Sequence, residues 1–351
     1  MKQFFTCLLT VLGLNSACGQ HNYETTDAEG FSQYVNNPDA VVLDVRGADE
    51  YAEGHIEGAL NIDVNQNTFA QRATELLPKT KTIAVYCRGG RRSVKAADQL
   101  EAAGFKIVNL KGGITQWKDA GKEVTTDMHE IDVVKTPGGK VVKFYALVHA
   151  SIRIVCEGTE IEVDPVGKMG DRVTDYGSMP KADYIFVTHE HGDHFDKGAI
   201  AALTAAGTQL ITNQRCADML GYGTAMANGE QTTLANGIKV EAVPAYNITE
   251  GHTQFHPKGR DNGFILTIDG LRIYIAGDTE DIPEMANVKN IDVVFMPCNQ
   301  PYTMTTDQLV KAAKTVKPKI LFPYHYGQTD VTGLPAQLEA DGIDVRIRHY
   351  E

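Results

Sequence analysis

The sequence has no CxxC pair, no apolar run long enough to span a bilayer and no excess of basic charge. Its six cysteines, Cys7, Cys18, Cys87, Cys156, Cys216 and Cys298, are scattered. That excludes a disulfide framework and a structural zinc site of paired thiolates. Basic residues number 33 against 45 acidic ones, a formal net charge of −12. An acidic surface repels phosphate backbones, so nucleic acid is excluded as a general partner. No segment repeats, no tract is of low complexity, and tryptophan occurs once, at Trp117. What remains is ordinary: 42% hydrophobic and 22% charged residues over 351 positions, the composition of a soluble globular protein long enough for two domains.

The first twenty residues stand apart. Met1-Lys2 is a short positive start, and residues 4–14 are apolar apart from Thr and Gly. This is the layout of a secretory signal. Asn15-Ser16-Ala17-Cys18 resembles a bacterial lipobox, with Asn15 where an aliphatic residue is usual. The expectation is an exported protein with Cys18 lipidated and tethered to a membrane surface. The alternative is an ordinary cleaved signal peptide.

From residue 21 to 126, strand and helix patterns alternate. Residues 40–45, 82–86 and 106–110 read as buried strands, and 92–103 has helical spacing with Val94, Ala97 and Leu100 on one face. This argues for a parallel sheet flanked by helices. Residues 127–139 read as a linker and first hairpin, turning at Thr136-Pro137-Gly138-Gly139. From 140 to 351 short strands crowd together, at 141–145, 151–156, 160–163, 184–187, 209–212, 239–243, 263–268, 271–276 and 292–296. Helices are expected at 197–206 and 306–316. The pattern is two sheets flanked by helices. Cys156 and Cys298 fall in apolar strand-like runs and read as core.

Cys87-Arg88-Gly89-Gly90-Arg91-Arg92-Ser93 lies between a strand and a helix. Gly89 and Gly90 let the loop curl, its N–H groups face inward, and the helix dipole stands behind them. Those donors and the neighbouring guanidinium groups would stabilise a thiolate at Cys87. Such a thiolate can take a sulfane sulfur as a persulfide and pass it to a thiol or to cyanide. The bland alternative is an anion-binding loop with an inert cysteine. The surrounding motifs tip the balance. Leu43-Asp44-Val45-Arg46, the run from Gly54 and His55 to Ile62, the Cys87 loop and Gly112-Gly113-Ile114-Thr115-Gln116-Trp117 together resemble the rhodanese family in order and spacing. The resemblance implies a persulfide on Cys87, a cradle formed by Arg88, Gly89, Gly90, Arg91, Arg92 and Ser93, and a sulfane-sulfur donor and thiol acceptor as partners. Arg46 and His55 read as structural, and Trp117 as a packing residue of the last helix.

Thr188-His189-Glu190-His191-Gly192-Asp193-His194 follows the strand at 184–187. Three histidines and an aspartate within six residues make a metal-ligand set that core packing does not explain, and imidazole with carboxylate suits zinc or iron. Alternate residues point the same way, so His189 and His191 suit one ion and Asp193 and His194 a second, with Gly192 reversing the turn. Asp278 in Gly277-Asp278-Thr279 ends a later strand and is placed to bridge. His325 ends another, and His252 and His256 lie between.

This HxHxDH run, the GDT and the late histidine resemble the metallo-β-lactamase superfamily over residues 140–351, with a start at His149-Ala150-Ser151 and Asp164-Pro165. Within it the sequence is similar to the group that includes L-ascorbate 6-phosphate lactonase. The resemblance implies an αββα sandwich and two divalent ions, Zn2+ first, with Mn2+ or Fe2+ also compatible. One site takes His189, His191 and His256, with His252 as the competitor. The other takes Asp193, His194 and His325. Asp278 bridges, and Asp164 anchors the ligand loops from outside. Two close cations lower the pKa of a bridging water to give hydroxide near neutral pH. Asp193 would orient it, and Tyr302, Tyr324 and Tyr326 are candidates to protonate the leaving group.

The expected activity is hydrolysis of an ester, lactone or phosphoester in a small anionic substrate, joined to sulfur transfer at Cys87. The alternative is a persulfide dioxygenase with a single iron held by two His and one Asp. A non-catalytic rhodanese module is a third reading, and the intact Cys87 speaks against it.

Overall fold

The computed structural model describes residues 22–350; the stretch at 1–20 expected to be a signal, with Cys7 and Cys18, lies outside them. The chain forms two units. One comprises the residues up to Val35 with Asp39–Thr126, the other residues 36–38 with Asp127–Glu351. Among the described residues no helix is long and apolar enough to cross a membrane.

The first unit has one sheet, of strands β1 (Glu24–Thr26), β2 (Ala40–Asp44), β3 (Leu60–Asn61), β4 (Thr82–Tyr86) and β5 (Lys106–Leu110). Their order is β1-β5-β4-β2-β3 and every pair is parallel. Helices α1 (Ala28–Ser32), α2 (Ala48–Ala52), α3 (Phe69–Leu76), α4 (Arg91–Ala102) and α5 (Gly113–Asp119) connect the strands. Both faces are buried, which is why the strands read as continuous apolar runs. Leu43, Ile83 and Val85 pack with Phe69, Ala96, Ala97 and Leu100 on one side. Val42, Ala84 and Tyr86 pack with Phe31, Ile114 and Trp117 on the other.

The second unit has two seven-stranded sheets. The first sheet contains β6 (Glu130–Lys135), β7 (Val141–Ala146), β8 (Ile152–Cys156) and β9 (Thr159–Val163). A small hairpin, β10 (Lys168–Met169) and β11 (Arg172–Val173), precedes β12 (Tyr184–Val187), β13 (Gln209–Thr212) and β14 (Thr224–Ala225). Strands β6 to β9 form an antiparallel meander, and β12, β13 and β14 continue the sheet in parallel. The second sheet runs β15 (Gln231–Thr233), β16 (Lys239–Ala245), β17 (Asp261–Ile268), β18 (Leu271–Ile275), β19 (Val293–Pro297), β20 (Ile320–Tyr324), β21 (Asp344–Val345). It too changes from antiparallel to parallel, at β18.

Side-chain alternation builds the layers. Tyr184 and Phe186 of β12 point inward to meet Phe264, Leu266, Phe295 and Phe322 from the opposite sheet. Their neighbours Ile185 and Val187 point outward onto Ile200 and Leu203 of α6 (Lys197–Leu203) and Cys216 of α7 (Gln214–Leu220). On the other side Tyr274, Val294 and Leu321 pack on Leu309, Ala312 and Val316 of α8 (Thr306–Val316) and on Leu338 of α9 (Leu334–Leu338). Helix, sheet, sheet, helix is the resulting order.

Within the segment at 127–139 the expected hairpin is present, turning at residues 136–139. Strand β6 pairs with β7 from Glu130↔Ala146 to Lys135↔Val141. Its alternating charges at Glu130, Asp132 and Lys135 mask an edge strand in the sequence.

Candidate metal centre

The ligand-type residues gather at one edge of the second unit. Strands β7, β9, β12, β18 and β20 all end there, followed by His149, Asp164, His189, Asp278 and His325. Positive φ values at His149, Asp164 and His325 (56°, 44° and 46°) turn the chain sharply as it leaves three of these strands. Glycine is required at Gly277, where φ is 66° and a β-carbon would lie 2.7 Å from the Asn262 carbonyl oxygen. Gly192 is different. Its backbone is ordinary and space is open beside it, and the reversal comes from His191, whose carbonyl accepts the N–H groups of His194 and Phe195.

Two groups of donors result. His189, His191, His256 and Asp278 form one; His149, Asp193, His194 and His325 form the other; donor atoms within each lie no more than 4.8 Å apart. Asp278 sits between them. Its Oδ2 is 3.3 Å from His256 Nε2, 3.9 Å from His189 Nε2 and 3.2 Å from His325 Nε2, while its Oδ1 is 3.3 Å from His194 Nε2. His252 is not in either group: its Nδ1 faces Glu280 Oε1 at 3.5 Å.

The rings are held from behind. His194 Nδ1 lies 2.9 Å from Asp164 Oδ2, and Asp164 also accepts the N–H and hydroxyl of Thr188, both at 2.7 Å. His256 Nδ1 lies 3.0 Å from Asp261 Oδ2, and His189 Nδ1 lies 3.0 Å from the Thr188 hydroxyl. These contacts turn each Nε2 toward the centre.

The donors fit a divalent cation. Among the described residues, Nε2 of His189, His194 and His325 and Oδ1 of Asp278 are buried with no hydrogen-bond partner. Leaving such atoms unsatisfied costs about 1–3 kcal/mol each. Protonation shows the same demand for positive charge. Burial alone would lower the His325 and His194 pKa values, yet the Asp278 charge overrides it, raising His194 well above the imidazole range and His325 to about 9. Burial would raise the Asp278 carboxyl, but His325 and His194 pull it well below the carboxylate range. His189 is kept neutral by burial, reinforced by His194. A bound cation supplies the charge that these protons otherwise provide.

A cavity of about 210 Å³ opens over the centre, lined by His191, Asp193, Phe255, His256, Asp278 and Tyr302. Of the three tyrosines considered from sequence, only Tyr302 reaches it. Tyr324 is buried, and its oxygen accepts the Gly277 N–H at 3.0 Å. The Tyr326 hydroxyl donates to the Arg348 carbonyl at 2.6 Å. Strand-end position suggested both, but each is occupied in holding backbone.

Sequence reasoning missed Asp261 and gave His149 no role at the centre. Asp261 opens β17 and looks like any charged turn residue; only its contact with His256 reveals it. The local signal at His149 is slight, a single histidine after a strand.

In the first unit, Cys87 is buried at the C-terminal end of β4, and its Sγ accepts the Gly90 N–H at 3.1 Å. Gly90, with φ 96°, caps α4. The Gly112-Gly113 turn supports this loop. Ile114 N–H donates to the Cys87 carbonyl (2.8 Å), and Thr115 N–H and hydroxyl donate to the Arg88 carbonyl (3.1 and 3.0 Å). Arg88 and Arg91 are exposed beside the loop. Two expected cradle members are engaged elsewhere. Arg92 forms a two-pronged ion pair with Glu50, at 2.6 and 2.8 Å, and buried Ser93 donates to the Gly90 carbonyl at 3.1 Å. Arg92 nonetheless stays close enough to Cys87 for their charges to interact. Arg46 is structural, forked onto buried Asp44 and donating to the Gly54 carbonyl. His55 stacks on Tyr51.

Comparison with known proteins agrees with both halves. Residues 143–325 match the β-lactamase superfamily domain and residues 27–120 the rhodanese-like domain. The chain belongs to the β-lactamase superfamily and carries a rhodanese-like domain before it. It is 33% identical over 180 residues to a UPF0173 metal-dependent hydrolase of Archaeoglobus fulgidus, covering 48% of this chain and 78% of the relative. It is 30% identical over 198 residues to one from Thermococcus kodakarensis (53% and 85%). Among solved structures, a protein of Parabacteroides distasonis assigned as a metal-dependent hydrolase is 49% identical, covering 64% of this chain and 100% of that one, with a TM-score of 0.62.

Proposed function

We propose that the second unit is a metal-dependent hydrolase of ester, lactone or phosphoester bonds holding two divalent ions, Zn2+ first among them. The position of Asp278, shared between two sets of imidazoles, carries this reading. His189, His191 and His256 would hold one ion, Asp193, His194 and His325 the other, and Asp278 both. When bound, the pair supplies a strongly acidified water and a Lewis acid for the substrate oxygen. Asp193, half-buried and facing the cavity, orients the attacking group. Tyr302, exposed at the cavity wall, is placed to give a proton to the leaving oxygen. An all-nitrogen-and-oxygen donor set suits zinc, iron or manganese. A single-iron dioxygenase would leave one of the two donor groups without a role, so hydrolysis is favoured.

The first unit is proposed to transfer sulfane sulfur. The Cys87 thiolate attacks the outer sulfur of thiosulfate, a new S–S bond forms, and sulfite leaves with its electron pair. Cyanide or a thiolate then takes the sulfur and returns the Cys87 thiolate. The Gly90 N–H on Sγ and the exposed Arg88 and Arg91 support this reading.

The test is metal content together with turnover. About two zinc per chain and hydrolysis of a lactone, carboxylester or phosphodiester in a substrate panel are expected, and Asp278→Ala should lose both. One iron per chain with oxygen uptake on a persulfide would overturn the hydrolase. Cys87→Ser should abolish thiosulfate:cyanide transfer and leave hydrolysis intact; unchanged transfer would remove Cys87 from its role.

A further inference from the structure

We infer that His149 is itself a donor to the second cation, so that His149, Asp193, His194 and His325 close that seat together. The inference rests on the two-cation reading and adds to it a ligand from the first strands of the domain, far from the HxHxDH run.

Distance is the first argument. His149 Nε2 lies 3.3 Å from Asp193 Oδ2, and His325 Nε2 lies 3.6 Å from the same oxygen. A charge-assisted hydrogen bond between such groups is about 2.7–2.9 Å. The contacts behind the rings are of that kind, at 2.9 Å for His194–Asp164 and 3.0 Å for His256–Asp261. The contacts across the centre are longer as a class, from 3.2 to 3.9 Å. Two donors each about 2.0–2.1 Å from one tetrahedral ion stand roughly 3.3–3.4 Å apart. His149 and Asp193 therefore have the spacing of two ligands sharing an ion.

Backbone geometry is the second. His149 has φ 56°, a left-handed conformation unfavourable for a residue with a β-carbon. It is fixed there from both sides, its N–H donating to the Tyr350 carbonyl (2.7 Å) and its carbonyl accepting the His325 N–H (3.1 Å). The two imidazoles lie together, with ring centres 3.9 Å apart. Glycine or asparagine would adopt this turn more readily, so the turn alone does not call for histidine. A buried imidazole aimed at the Asp193 carboxylate does.

With His149 included, each group offers three imidazoles and one carboxylate. The second group also meets Asp278 through His194 and His325, so it is the richer seat and should hold its ion more tightly.

The test uses the full-length chain and His149→Asn, which tolerates the turn, beside His149→Ala. Both are checked for fold by circular dichroism and then titrated with Co2+ and with Zn2+. The wild type should bind two ions. The variants should lose one after desalting, or bind it at least about 10-fold more weakly, with a changed visible Co2+ spectrum. Variants that keep two ions, wild-type affinity and the wild-type spectrum would overturn the assignment and leave the two-cation reading standing. A wild type that binds fewer than two would overturn both. Should neither variant fold, anomalous scattering from Zn2+-loaded wild-type crystals decides. A zinc about 2.0–2.2 Å from His149 Nε2 supports the assignment, and one beyond about 3 Å overturns it.

Discussion

Asp261 holds His256 from behind, its Oδ2 3.0 Å from Nδ1, and Arg260 in turn grips Asp261 through Nε at 2.6 Å. This fixes which imidazole nitrogen faces the centre. Removing a carboxylate in such a position typically weakens a metal site about 10–100-fold. Asp261→Ala should therefore lower affinity for one of the two ions by that factor while the other is retained. Competition with a chromophoric chelator measures it, and two unaltered dissociation constants would show that the contact does not orient the ligand.

Gly113 makes the Cys87 loop possible. Its φ is 60°, and a β-carbon there would run into the Cys87 carbonyl oxygen and the Arg88 backbone. Gly113→Ala should push the loop off α5, cost about 1–3 kcal/mol of stability and reduce sulfur transfer strongly, with hydrolysis unchanged. Thermal unfolding and a thiosulfate:cyanide assay check both. Wild-type transfer rates would mean that the loop does not need this support.

Much of this was legible in the sequence, for a physical reason. Strands β4, β12 and β20 are buried on both faces, so they read as apolar runs, and the residues that leave them carry the chemistry. The ligands at 189–194 share one turn, so their spacing alone announces a metal. Asp278 and His325 stand at strand ends and could be placed the same way. Asp261, His149, Arg92 and Ser93 could not. Their roles depend on what the fold brings opposite them: His256 for Asp261, Asp193 for His149, Glu50 for Arg92. Strand β6 was legible mainly through its turn, because its Asp132 is buried against the C-terminal arginines Arg346 and Arg348 and not in an apolar core.

Those arginines give a pH prediction. Asp132 on β6 is buried and accepts from Arg346 Nη1 at 3.0 Å and Arg348 Nε at 2.7 Å. Burial would raise its pKa, but the two guanidinium groups win and lower it. A carboxyl depressed in the folded state contributes stability above its unfolded pKa of about 3.9, and that contribution fades as pH falls toward the folded value. Asp132→Asn should thus cost on the order of 2–3 kcal/mol at pH 7, below the full value of a broken buried pair because Arg348 keeps part of its side chain in water. The difference from wild type should shrink below about pH 4. Urea unfolding at pH 7 and pH 3.5 tests this, and a pH-independent difference would assign the loss to packing.

Tyr302 is the group proposed to protonate the leaving oxygen. Its ring packs edge-on against Phe255, with centres 5.0 Å apart, at the wall of the cavity over Asp193 and Asp278. A positioned proton donor is worth about 10²–10⁴ in rate when the leaving group is a poor one. It is worth little when the leaving group is stable as an anion. Tyr302→Phe should therefore slow an alkyl ester or lactone by at least about 10², spare a nitrophenyl ester and leave metal content at the wild-type level. The ratio of the two rates is the informative quantity, because loss of substrate binding would depress both. An equal fall on both substrates would make Tyr302 a wall of the cavity, and the proton would then have to come from solvent.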